Sequence, residues 1–207
     1  MPRAFNLAER ERIRERLIAA GKRLINRVGL RLLAVEEVAR EAGISKGSFY
    51  SFFPSREELI LTVFESWEAE YRGALIREIS EGEGTPRERI ERFFLGAFEM
   101  LEREPGLARL GVRELQTIID RLPAERIAAH QAEDNRVLGE TFGRWIREGL
   151  LAPELLDGLR GLVPALFSIA LHQEDFPPGS YRPAVKLIAE ALAMRIASSV
   201  GVTGGKS

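Results

Sequence analysis

Apolar residues recur at intervals of three and four along almost the whole chain, and no stretch alternates with a period of two, so the pattern predicts an all-α protein. The first amphipathic run covers residues 8–28, with Ile13, Leu17, Ala20 and Leu24 on one face and Gly29 closing it. Two short helices are expected next, at 35–42 and 46–53. Gly43-Ile44 makes the turn between them, Ser45 caps the second and Pro54 stops it. Ser55 and Glu58 form a capping box for a longer helix that runs through Trp67 and Tyr71 to about Ile79. The segment SEGEGTP at 80–86 reads as a linker. Thr85 and Glu88, with Pro86 at the first helical position, then open a helix whose Ile90, Phe93, Phe94, Ala97, Phe98 and Leu101 share an apolar face that ends at Pro105-Gly106. Further helices are expected at 107–120, 124–148, 153–175 and 182–199, and the last seven residues read as a frayed tail.

Composition narrows the class. At 207 residues, with 45% hydrophobic and 29% charged, the chain has the balance of a soluble globular protein with ample length for a core. The absence of cysteine excludes disulfides and Cys-ligated zinc. No apolar segment of the signal-peptide kind opens the chain, and the expected location is cytoplasmic. The most apolar run, residues 155–171, is too short and too charged for a membrane span; Pro164 should kink or break it near Val163. The net charge of −1 hides an asymmetry, because residues 1–60 hold 12 Lys/Arg against 8 Asp/Glu and the remainder is acidic. A basic head on an acidic body suits a DNA-binding module.

The stretch VEEVAREAGISKGSFYSFFPSREEL at 35–59 carries the chemistry. Two helices that cross closely need a small residue on the first and a glycine at the turn, and Ala39 and Gly43 supply them. Ile44, Phe49 and Phe53 pack the second helix onto the first. Its other face then presents Lys46, Gly47, Ser48, Ser51 and Phe52 behind the cap Ser45, as a recognition helix is presented to a major groove. Lys46 suits a phosphate or a guanine edge, Ser48 several base edges, and Phe52 a thymine methyl. Gly47 lets the backbone approach closely. The Tyr50 hydroxyl and Arg56, in the first turn of the next helix, suit phosphates, and Arg3 lies in an arm placed to follow a groove.

These residues resemble the TetR family of transcriptional regulators: an A-x-x-x-G spacing, then I-S-K-G, an apolar residue, Tyr, two rings, a short turn, and a basic residue before E-E-L. The resemblance covers about residues 13–65. It implies a helix-turn-helix DNA-binding domain over 1–54, joined by a fourth helix to a helical ligand-binding and dimerisation domain over 55–200, with a flexible tail at 201–207. It also implies a homodimer formed through the C-terminal helices, a palindromic double-stranded DNA operator and a small-molecule inducer of unknown identity. Two positions depart from the family. Leu33 and Ala34 stand where the family has a capping Thr or Ser, which removes a cap worth about 1 kcal/mol, and Arg56 stands where Lys is common.

In the body, Phe93, Phe94, Phe98, Phe142, Trp145 and Phe167 are candidates to line an apolar ligand pocket, with Gln116, His130, Gln131, Asn135 and His172 as polar partners. A plain aromatic core accounts equally for the rings. Val185, Ile188, Leu192 and Ile196 on the last helix are candidates for a dimer face or for the core. His172 near a helix end fits the helix dipole. The two histidines lack metal-ligand spacing, no catalytic constellation stands out, and no cofactor or metal is expected. The terminal GGKS lacks the first glycine of a P-loop and the helix after it. Two other readings stay open: an activator or partner-controlled regulator without an inducer, and an enzyme or carrier with a vestigial head.

Overall fold

A computed structural model describes residues 6–104 and 112–200; Arg3, the Pro105-Gly106 stop, the start of the expected 107–120 helix and the tail at 201–207 lie outside the described residues. Among the described residues every regular element is helical. They are α1 (Leu7–Val28), α2 (Val35–Glu41), α3 (Lys46–Phe49), α4 (Arg56–Glu81), α5 (Pro86–Arg103), α6 (Val112–Ile119), α7 (Ala124–Arg147), α8 (Leu156–Leu171) and α9 (Tyr181–Val200), with 3-10 turns at Pro153–Leu155 and Gln173–Asp175. No helix among them is long and apolar enough to cross a membrane. The backbone divides into two compact units, residues 1–70 with 104–122 and residues 71–103 with 123–207, so α4 contributes to both.

The first unit is built on α1. Asn6 and Glu9 exchange side-chain and backbone hydrogen bonds of 2.8 and 3.0 Å, a capping box that starts the helix one residue earlier than the apolar pattern suggests. Ile13, Leu17, Ala20 and Leu24 are buried, as their spacing requires. Gly21 lies among them because a Cβ there would stand 2.9 Å from Val63 Cγ2 on α4. The α2–α3 turn is a Schellman motif. The Gly43 amide donates to Arg40 O and the Ile44 amide to Ala39 O, with Gly43 at φ +74°. Phe49 and Phe53 are fully buried, their ring centroids 5.8 Å apart.

The third helix is shorter than the 46–53 expected. Its α geometry stops at Phe49, and the amides of Ser51 and Phe52 donate three residues back, to Ser48 O and Phe49 O. The Phe53 amide still donates four residues back, to Phe49 O at 3.1 Å, so Phe53 enters the core one turn after Phe49.

In the second unit α9 packs chiefly against α5. The predicted Thr85–Glu88 capping box is present, with the Thr85 amide donating to Glu88 Oε2 at 2.7 Å. That hydrogen bond holds the Glu88 carboxyl below its ordinary pKa. Phe93, Phe94, Phe142 and Trp145 pack edge to face, with Phe93 and Trp145 at 4.9 Å. Pro164 does not break α8, which is helical from Leu156 to Leu171, with the proline on its exposed side. The expected 153–175 helix is instead a 3-10 turn, α8 and a second 3-10 turn. On α9, Val185 and Ile196 are buried within the unit and Ile188 and Leu192 are partly covered, so these four do not form an open face. Its exposed apolar stripe is Leu187, Ala191 and Met194.

Gly43→Ala should destabilise the first unit by about 1–2 kcal/mol, the penalty of a side chain in left-handed backbone. Urea denaturation followed by circular dichroism measures it; an unchanged midpoint would mean that the turn relaxes without the motif.

Candidate nucleic-acid interface

The recognition segment begins where Ser45 leaves extended backbone. Its hydroxyl accepts the Ser48 amide at 3.1 Å and shares a 2.9 Å hydrogen bond with the Ser48 hydroxyl. One face of α3 is thereby anchored by Phe49, and the other is open. Ser45, Lys46, Gly47, Tyr50 and Ser51 are exposed and Ser48 is half-buried. Gly47 meets nothing closer than the Ser45 hydroxyl, 3.9 Å from where its Cβ would be, so nothing in the fold requires a glycine there. A requirement for glycine would come from whatever approaches this face.

Phe52, which helical spacing placed on the face of Ser48, lies after the end of α3 and is half-buried beneath Arg10 of α1. The Arg10 guanidinium lies 4.8 Å from the Phe52 ring centre and donates to Ser51 O at 3.0 Å. Arg14 covers Phe53 in the same way, at 4.7 Å. The exposed Ser51 hydroxyl donates back to Ser48 O at 2.7 Å.

Arg56 occupies a structural position. Its guanidinium donates to Leu33 O at 2.8 Å and to Leu30 O, and lies 3.4 Å from Glu57. It therefore ties the start of α4 to the α1–α2 connection rather than standing clear for phosphate. This fastening lies beside the uncapped start of α2, where Ala34 makes no side-chain cap. Glu57 is buried, and Arg121, after α6, reaches it at 3.3 Å. A polar chain thus runs from Arg121 through Glu57 and Arg56 to the carbonyls of the connection.

Sequence spacing did not point to Glu36. Its carboxylate is exposed in the first turn of α2 and takes a 2.5 Å hydrogen bond from Lys46 Nζ. The hydrogen bond lowers the Glu36 carboxyl pKa and raises that of the Lys46 ammonium. No helical period links residues 36 and 46; only the crossing of α2 and α3 brings them together. Arg10 was missed for the same reason.

The candidate ligand residues do not converge on one cavity. Phe93, Phe94, Phe142 and Trp145 are buried in ring contact, Phe98 is also buried, and Phe167 is exposed. Gln116 belongs to the first unit and donates to Asp120 at 2.7 Å. Gln131 and Asn135 are exposed on α7, His130 lies 3.5 Å from Asp134, and His172 Nδ1 lies 2.8 Å from Ser168 O. A cleft of about 350 Å³ in the second unit opens between Thr85–Arg87, Gly149-Leu150 and the end of α9, and none of these candidates lines it.

Comparison with known proteins places this geometry. Residues 17–63 match the family model of bacterial regulatory proteins of the tetR family. The chain is 26% identical over 127 residues to the HTH-type transcriptional repressor KstR2 of Mycobacterium tuberculosis, a match that covers 61% of this chain and 63% of that protein. It is 33% identical over 81 residues to the HTH-type transcriptional repressor NemR of Escherichia coli, covering 39% of this chain and 41% of that one. The matches therefore span less than two thirds of these relatives. A TetR-family transcriptional regulator from Pectobacterium atrosepticum superimposes with a TM-score of 0.69 at 21% identity, over 92% of this chain and 96% of its own. The fold is accordingly shared along nearly the whole chain, and the family model lies over residues 17–63.

Arg56→Ala should lower the stability of the first unit by about 2–3 kcal/mol, since hydrogen bonds from a charged donor are removed and partly buried carbonyls lose them. Ser45→Ala should cost about 1 kcal/mol, the worth of a cap. Urea midpoints rank the two; equal small losses would show that Arg56 is not a fastening.

Proposed function

We propose, from the premise that the chain belongs to the TetR family of transcriptional regulators, that it is a homodimeric repressor released from a palindromic operator by a small apolar ligand. As a helix-turn-helix transcriptional regulator it is not an enzyme, and the carrier or enzyme reading is set aside. The observation that carries the proposal is α3 itself: a helix anchored on one side by the buried Phe49 and open on the other through Lys46, Gly47 and Ser48. A groove offers this face further donors and acceptors on base edges. Ser45 and Tyr50 flank it and are exposed for phosphate.

Repression is supported by the relatives named above, both of which are described as repressors. The domain division we favour puts DNA binding in residues 1–54 and ligand binding with dimerisation in 55–200. Dimerisation is supported by apolar surface on the last two helices. Leu187 and Met194 expose 67% and 56% of their area on α9, and Phe167 exposes 39% on α8, beside exposed Gly158, Gly161 and Ala165 that permit close helix approach. A two-fold pair would set two α3 helices about 34–36 Å apart, or a multiple of that, as half-sites require. The ligand reading rests on the Phe93–Phe94–Phe142–Trp145 cluster, whose rings must separate to admit an apolar molecule. Such a ligand weakens operator binding only if it binds the two states of the dimer unequally.

Two measurements test this. Titration of labelled promoter DNA should show that Lys46→Ala weakens binding about 3- to 10-fold, as loss of one cationic contact to the duplex would. Gly47→Ala should weaken binding while leaving thermal stability equal or slightly raised. Equal, sequence-blind binding by all three proteins would sink the DNA-binding reading. In sedimentation velocity, the wild type should run as a dimer and the double variant Leu187→Glu, Met194→Glu as a folded monomer; a dimer in both would move the interface elsewhere.

A further inference from the structure

The three carboxylates of α2 have different partners. Glu41 lies 3.3 Å from both Arg23 and Arg27 of α1, and Glu37 lies 3.8 Å from Arg27 and 3.7 Å from Arg40. These acids tie α2 to α1 and to its own last turn. Glu36 reaches the other way, across the helix crossing, to Lys46 at 2.5 Å. The Glu36 and Lys46 side chains expose 61% and 53% of their area. An ion pair this exposed contributes little to folding, so its position on the open face of α3 has consequences mainly for what binds there.

Resting on the DNA-binding reading above, we propose that Glu36 is a specificity-determining residue, a built-in counter-ion that withholds Lys46 from the backbone of non-cognate DNA. Phosphates are acceptors only. A duplex that offers Lys46 nothing but phosphate either breaks the pair or shares the ammonium between carboxylate and phosphate, and in both cases it sets the Glu36 carboxylate beside more negative charge. In a cognate groove both halves of the pair find partners: the carboxylate accepts from a cytosine amino group, and the ammonium donates to guanine O6 or N7. The pair therefore disfavours the wrong sequence more than the right one, and the operator should carry a fixed G·C pair in each half-site under the start of α3. The charge states suit the role, since each partner's hydrogen bond shifts the other toward its ionised form.

Full-length wild type, Glu36→Gln, Glu37→Gln and Lys46→Ala are titrated, across a salt series, against two duplexes of equal length. One is enriched by the wild type from a random library and the other is random in sequence. Glu36→Gln should bind the random duplex about three- to ten-fold more tightly, with a salt slope steeper by about one unit. Its ratio of enriched to random affinity should fall at least about threefold, with the same origin in one released phosphate contact. Its own enriched sequences should lose the fixed cytosine. Glu37→Gln removes an equal charge that does not touch Lys46 and should leave the ratio unchanged. An unchanged ratio for Glu36→Gln, whatever the absolute affinities, overturns the inference. So does weaker binding of the enriched duplex with random binding unaltered, which would make Glu36 a plain base contact. If wild type binds neither duplex, the DNA-binding reading itself fails, and this inference with it.

Discussion

The buried ring of Phe49 is the constraint on which the functional face depends. It lies wholly inside the first unit, stacked beside Phe53, and it is the residue that seats the four-residue α3 on the helices behind it. A helix that short cannot stand alone, because nucleation fixes more dihedrals than one turn of hydrogen bonds repays. Its geometry is imposed from both ends: by the Schellman turn at Gly43 and the Ser45 cap before it, and by the turn after it that brings Phe53 into the core, with the Phe53 amide donating to Phe49 O. With one face so held, the opposite face has to be presented, and it carries Lys46, Gly47 and Ser48.

A second fastening sits at the start of α4. The usual cap of α2 is missing, since Ala34 offers no oxygen, and Arg56 from α4 instead grips the carbonyls of Leu30 and Leu33. The same guanidinium neighbours Glu57, which Arg121 also reaches. Three charged side chains thus connect the α6 end of the unit to the connection that enters the helix-turn-helix.

What could be read from the sequence follows from the range of the interactions involved. Periodicity and caps are local, so the helices, the Thr85–Glu88 box, the Gly43 turn and the inward set of α1 were legible. The resemblance at 35–59 was legible because its residues are contiguous. The rest depends on helices that are distant in sequence and adjacent in space. The Glu36–Lys46 pair, Arg10 over Phe52 and the grip of Arg56 on Leu33 each join different elements, and no spacing rule encodes them. The early end of α3 was hidden because Phe49 and Phe53 satisfy an α-helical period of four while the backbone between them tightens. On α9 the apolar residues occupy more than one face, so pattern alone could not say that Val185 and Ile196 face inward while Leu187 and Met194 face out.

The proposed dimer would set the open faces of two α3 helices in DNA grooves together. Hydroxyl-radical footprinting of the full-length protein on a duplex enriched from a random library tests it most directly. The account predicts two protected patches on one side of the duplex, related by two-fold symmetry and centred about one helical turn, or a whole number of turns, apart. Uniform cleavage along the duplex, or a single patch without symmetry, would contradict it.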